Sequence, residues 1–111
     1  MNEQDLMERI RLLEYHQKLL LRLLENPKLD FYKLIIEHQI SEQHVVKFFY
    51  LCDELHKKME EQKAEGFVYF HPLFNKLSTL LPNNLDVKEV VQACVNQKLF
   101  ESLFLEFKKY I

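Results

Sequence analysis

The stretch His44-Val45-Val46-Lys47-Phe48-Phe49-Tyr50-Leu51-Cys52-Asp53-Glu54-Leu55-His56-Lys57-Lys58-Met59 decides the fold class. Val45, Phe48, Cys52, Leu55 and Met59 recur at alternating steps of three and four, which puts them on one face of a helix. Ser41 is the expected N-cap, and the helix should run to about Glu65. Beyond Met59, Glu60-Glu61-Gln62-Lys63-Ala64-Glu65 holds no large apolar group, so this end should project into solvent. Glu54 and Lys58 have the favourable i,i+4 order for an ion pair there. Gly66 is the only glycine of the chain. It is expected at the helix C-terminus, as the one residue that turns left-handed without steric cost.

Before this helix, a first long helix is expected over about residues 3–25. Leu6, Ile10, Leu13, Gln17, Leu20 and Leu24 follow a heptad seam. Leu12, Leu19, Leu21 and Leu23 widen the apolar arc to roughly 240°, against the ~100° stripe of a one-sided helix. The second half of this helix must therefore be surrounded. Asn26-Pro27 ends it, because the residue before proline avoids the α region. A short helix follows from Asp30, the expected N-cap, through Phe31–Glu37, giving way near His38-Gln39-Ile40.

After Gly66, Phe67-Val68-Tyr69-Phe70 reads as an extended or tight connection, expected to plug the core, with an exposed docking patch as the alternative. No second strand-like run exists to pair with it. Pro72 opens a fourth helix carrying Leu73, Phe74, Leu77, Leu80 and Leu81. Pro82-Asn83-Asn84 is a loop. Asp86 and Glu89 suit a capping box, with Val87, Val90, Val91, Cys94 and Val95 facing inward. A break near Asn96-Gln97 leads to a last helix whose Leu99, Phe100, Leu103, Phe104, Phe107, Tyr110 and Ile111 span roughly 140°. The expectation is an all-α multihelical bundle in a single domain, residues 1–111, with two long helices and three or four short ones.

Composition agrees. The 111 residues are 48% apolar with one glycine and three prolines, too little punctuation for sheets and long loops. A net charge of −2 supplies no cationic surface, so nucleic acid is not an expected partner. No apolar run spans a membrane, and the polar start Met1–Asp5 differs from a secretory signal. Cys52 and Cys94 are expected as buried reduced thiols in a cytoplasmic protein. Two helices of about 33 Å cannot be covered by helices half that length. Self-association through the first helix is the simplest cover, with Gln17 as a polar residue that sets register.

Few constellations carry chemistry. Cys52, His56 and Glu60, at i, i+4 and i+8, drift along one face and could begin a metal site. No further ligand is nominated, and the plainer reading has Cys52 and Leu55 in the core with His56 and Glu60 on the flank. The same cysteine and histidine lack an oxyanion loop or an orienting third group. No phosphate-cradling glycine loop is possible. Lysines alternate with glutamates along the third helix, unlike a recognition helix. The chain is therefore expected to be non-enzymatic, with no catalytic, cofactor or metal residues and no cofactor. Its expected role is an oligomeric interaction or regulatory module with an unidentified protein partner. The alternative is a nucleic-acid-associated regulator whose basic groove forms only on assembly.

Arg9-Ile10-Arg11-Leu12-Leu13-Glu14-Tyr15, Cys52-Asp53-Glu54-Leu55, Gln62-Lys63-Ala64-Glu65-Gly66-Phe67-Val68-Tyr69-Phe70 and Leu85-Asp86-Val87-Lys88-Glu89 together resemble the YhaI-like family. These are small bacillus-type bacterial proteins classed as a domain of unknown function. The block through Gly66 is the most specific of the four. The resemblance implies a multihelical fold and an intertwined homo-oligomer, with a trimer among the states it allows. It implies no activity, cofactor or site residue.

Overall fold

The structure is a computed structural model that describes residues 2–82 and 85–111. The expected loop at Asn83-Asn84 lies outside the described residues. Among the described residues six α-helices follow in order: α1 Glu3–Glu25, α2 Asp30–Glu37, α3 Glu42–Ala64, α4 His71–Thr79, α5 Val87–Gln97 and α6 Glu101–Phe107, then a 3₁₀ turn at Lys108–Tyr110. Among the described residues there is no strand. The fold is all-α and multihelical.

Helix starts are set by polar side chains that accept otherwise unpaired N–H groups. The Asn2 side chain accepts from the Asp5 N–H at 2.8 Å, and Ser41 Oγ accepts from the His44 N–H at 3.3 Å. Asp86 accepts from the Glu89 N–H at 3.4 Å. Glu89 does not return the bond; its carboxylate lies 4.0 Å from His38 Nε2. At α2 the expected cap is corrected. Asp30 is the first helical residue, and Gln97 Oε1 reaches across from α5 to accept from the N–H groups of Phe31 (2.9 Å) and Tyr32 (3.3 Å). The Asp30 carboxylate is thereby free to accept from Asn96 Nδ2 at 2.8 Å. These three bonds tie α2 to α5. The i,i+4 ion pair on α3 is Lys57–Asp53 at 3.0 Å, one position before Glu54–Lys58.

Helix ends reveal a second correction. Gly66 does turn left-handed, with φ +93°. Its N–H donates to Lys63 O (3.0 Å), and the Phe67 N–H donates to Gln62 O (2.9 Å). This pair of bonds is a Schellman motif. The same pair closes α2, from Gln39 to Ile36 and from Ile40 to Ile35, and closes α5, from Lys98 to Val95 and from Leu99 to Cys94. Gln39 (φ 54°) and Lys98 (φ 61°) are thus left-handed without being glycine, as is Phe100 (φ 43°) just before α6. Two closing bonds and the burial of Ile40 behind Gln39 outweigh a local steric cost of about 1 kcal/mol. The expected break at Asn96-Gln97 falls a little later for the same reason, at Lys98–Phe100.

Val45, Phe48, Cys52, Leu55 and Met59 of α3 are all buried, and the shorter helices gather on them. Phe48 stacks on Phe31 of α2 (5.3 Å) and on Phe104 of α6 (6.3 Å). Phe104 meets Phe107 edge-on at 5.9 Å, and Phe107 meets Phe74 of α4 at 5.7 Å. Offset and edge-on ring pairs of this kind add to the gain from burial. Cys52 and Cys94 are buried, unbridged thiols. Burial pushes both well above the usual thiol range, and Cys52 adds to the effect on Cys94. The molecule measures 53 × 31 × 20 Å, with a radius of gyration of 15.6 Å. A rounded domain of this length would have about 13 Å.

Gly66→Ala places a methyl group in open space, so its cost is backbone strain alone, about 1 kcal/mol. Lys98→Gly relieves such strain at the price of unfolded-chain entropy, for a net gain of about 0.5 kcal/mol. Urea denaturation of the two variants should therefore move in opposite directions. A shift of the same sign would show that left-handed backbone is not what the two turns share.

Candidate functional site

Helix α1 carries two apolar stripes. Leu12, Tyr15, His16, Leu19 and Leu23 face the body and are buried or half-buried. Leu6, Ile10, Leu13, Leu20 and Leu24 are all exposed, Leu13 at 53% and Leu24 at 81%. At 100° per residue the stripe centres lie about 125° apart. The exposed stripe is the heptad seam read from the sequence, and Gln17 within it is exposed too. Met7 and Leu21, also exposed, widen it on one flank. From Leu6 to Leu24 it runs about 27 Å. The chain's own helices thus cover one side of α1 and leave the other open.

One buried polar contact aims the open stripe. His16 Nε2 lies 2.7 Å from the Ile40 carbonyl oxygen in the turn between α2 and α3. A carbonyl only accepts, so Nε2 carries the proton and donates. Among the described residues His16 is the one polar side chain in the core. Arg9 Nη1 donates to Gln39 Oε1 at 3.1 Å, and Arg22 Nη1 donates to Tyr32 Oη at 3.3 Å. Tyr15 is pushed up to about 12, first by burial and then by Glu42 and Tyr32, with Arg22 acting the other way. Sequence reading missed His16 and Gln97. The signal for His16 was its place between Leu12 and Leu19 on the second stripe.

The aromatic segment after Gly66 is a correction to the core-plug expectation. Only Phe70 is buried, at 2%; Phe67, Val68 and Tyr69 are exposed, Val68 at 87%. Phe70 is drawn in because its N–H donates to Tyr110 Oη at 3.0 Å, while the Tyr110 hydroxyl donates to Glu106 Oε2 at 3.1 Å. Tyr69 stacks on His71 (5.9 Å, 8°), and both meet Tyr110 edge-on. Rings in mutual contact fill the space that an aromatic cage would keep open.

Cys52, His56 and Glu60 are not brought to one place. Cys52 turns into the core, His56 Nδ1 lies 3.4 Å from Ser102 Oγ, and Glu60 pairs with Lys63 at 3.8 Å. Among the described residues no group of three His, Cys, Asp or Glu side chains gathers as metal ligands would. A half-open groove of about 600 Å³ lies between the first turns of α1 and the α2–α3 turn. Its walls mix Asp5, Glu8 and Glu42 with Arg9 and Arg11, so the groove favours neither sign of ligand. Ser41 Oγ in its wall is 2.8 Å from His44 Nδ1, a contact within the start of α3. A shallower groove of about 410 Å³ between α2 and α5 is edged by Asp30, Lys33, Glu37 and Glu89. No described helix is long and apolar enough to cross a membrane.

His16→Leu should cost about 2 kcal/mol by leaving the Ile40 carbonyl unpaired. It should also raise amide exchange through α1 before α3 is affected; uniform loss of protection would contradict an anchoring role. The phenol of Tyr15 sets a pH window. The unfolded chain loses that proton near pH 10 while the folded chain keeps it to about 12. Its contribution is therefore complete below pH 10 and lost as pH rises through about 12. Tyr15→Phe should flatten the stability profile in that window. Comparison with the unchanged protein isolates the phenol from the two buried thiols, whose shifts act in the same direction.

The geometry describes a helical body with one helix left half-dressed. A family model described as "Protein of unknown function (DUF1878)" matches residues 3–111, and the chain belongs to that family.

Proposed function

We propose that this chain is a non-enzymatic helical protein that works as an oligomeric interaction or regulatory module, assembled through the open stripe of α1. A single observation carries this: seven large apolar side chains of one helix, Leu6, Met7, Ile10, Leu13, Leu20, Leu21 and Leu24, are exposed along one side, with Gln17 the polar position in their seam. Large apolar side chains gathered on one exposed helix face mark an interface. The band is a heptad seam widened on one flank, the pattern of a helix that packs within a bundle rather than against solvent. Reuse of one patch by identical copies is the commonest route to an oligomer. The four sequence blocks resembling the YhaI-like proteins extend this reading to a cytoplasmic bacterial protein. Any further protein partner would meet the assembled form, with Phe67–Tyr69 as a second exposed apolar surface.

Light scattering on the purified protein at micromolar concentration should give a multiple of 13.5 kDa. Leu13→Glu places a charge in the stripe at an exposed position, so it should reduce the mass to that of one chain while the far-ultraviolet spectrum stays helical. A single-chain mass for the unaltered protein would overturn the proposal.

A further inference from the structure

We infer that the α1 helices of neighbouring copies lie parallel and in register, with Gln17 facing Gln17 of the adjoining copy. This rests on the self-association proposed above and adds its direction.

The heptad positions of the open stripe follow from its spacing. Ile10, Gln17 and Leu24 occupy the a positions, and Leu6, Leu13 and Leu20 occupy the d positions. Met7, Glu14 and Leu21 are then at e, and Arg9, His16 and Leu23 at g. The body of each chain sits on the g side of its own helix, holding His16 and Leu23. It leaves the a, d and e positions clear for a neighbour.

Two orientations align all six layers. In the antiparallel one, Leu6 meets Leu24, Ile10 meets Leu20 and Leu13 meets Gln17. Each Gln17 amide is then pressed against a leucine with its donors and acceptor unpaired, which is costly in an apolar seam. The same orientation brings Glu14 toward Glu14 of the other copy, two like charges across the seam. In the parallel orientation each a residue meets its own copy. Gln17 can then pair amide to amide, as a polar residue at a single a position does when it sets register. The g residue Arg9 of one helix lies beside the e residue Glu14 of the next, five positions on, which is the usual interhelical ion pair. Arg9 now donates to Gln39 through Nη1, and it is exposed, so its other donors remain available.

Gln17→Cys tests the direction. In the parallel arrangement this variant alone forms a disulfide between copies on mild oxidation, seen as a covalent dimer on a non-reducing gel. The buried native thiols of Cys52 and Cys94 give little background. In the antiparallel arrangement Gln17→Cys alone stays uncrosslinked, whereas a co-refolded mixture of Leu13→Cys and Gln17→Cys crosslinks, and that result overturns the inference. Charge reversal gives an independent measure. Arg9→Glu and Glu14→Arg should each weaken assembly about threefold, and the double variant R9E/E14R should recover it. A role for Arg9 confined to holding Gln39 would leave the double variant as weak as Arg9→Glu, which also counts against the inference. If the unaltered protein runs as a single chain by light scattering, the assembly itself is wrong. If it assembles and only these crosslinks fail, the direction alone is wrong.

Discussion

The buried stripe Val45, Phe48, Cys52, Leu55 and Met59 is the surface on which this chain condenses. A domain of 111 residues has little core to spare, and here one helix supplies its longest continuous part. Helices α4 and α6 lie directly on α3, and α5 joins α6 to α2. The chain of ring contacts from Phe31 through Phe48, Phe104 and Phe107 to Phe74 links four helices without a polar interruption. Gln97 and Asn96 then fasten α2 to α5 at the surface, where their hydrogen bonds also satisfy the free end of a short helix.

Helix α1 stands outside this scheme. It equals α3 in length, yet it buries only His16 and Leu19 completely. Its main packing partner is the short helix α2 that follows it in sequence. The imidazole of His16 fixes its rotation about its own axis, because turning α1 away would strand the Ile40 carbonyl in the core. The direction in which the open stripe looks is therefore decided on the opposite side of the helix, by a side chain that no outside molecule touches.

Much of this was legible from the pattern of residues. Apolar spacing located all six helices, and Ser41, Asp86, Pro72 and Gly66 marked ends where the local chemistry is self-contained. What escaped depends on distant parts of the chain. Asp30 looks like a cap until Gln97, 67 positions away, is seen to occupy the role. Gln39 and Lys98 are poor left-handed residues by intrinsic preference, but the residues that follow them are tucked inward and hold the turn. Phe67–Phe70 is uniformly apolar, so composition could not tell that Phe70 alone is buried while its three neighbours stay outside. The α1 stripe was legible as a seam, whereas its exposure within the chain needed the packing of α2.

Residues 3–11 are all exposed, so beyond the Asn2 cap and the Arg9–Gln39 bond their helical form draws little from the body. A helical segment this short has almost no stability of its own in water. In the proposed assembly, these turns would gain their order from neighbouring copies. The amount of folded helix would then vary with the number of molecules present, and abundance would be a structural variable for this end of the protein.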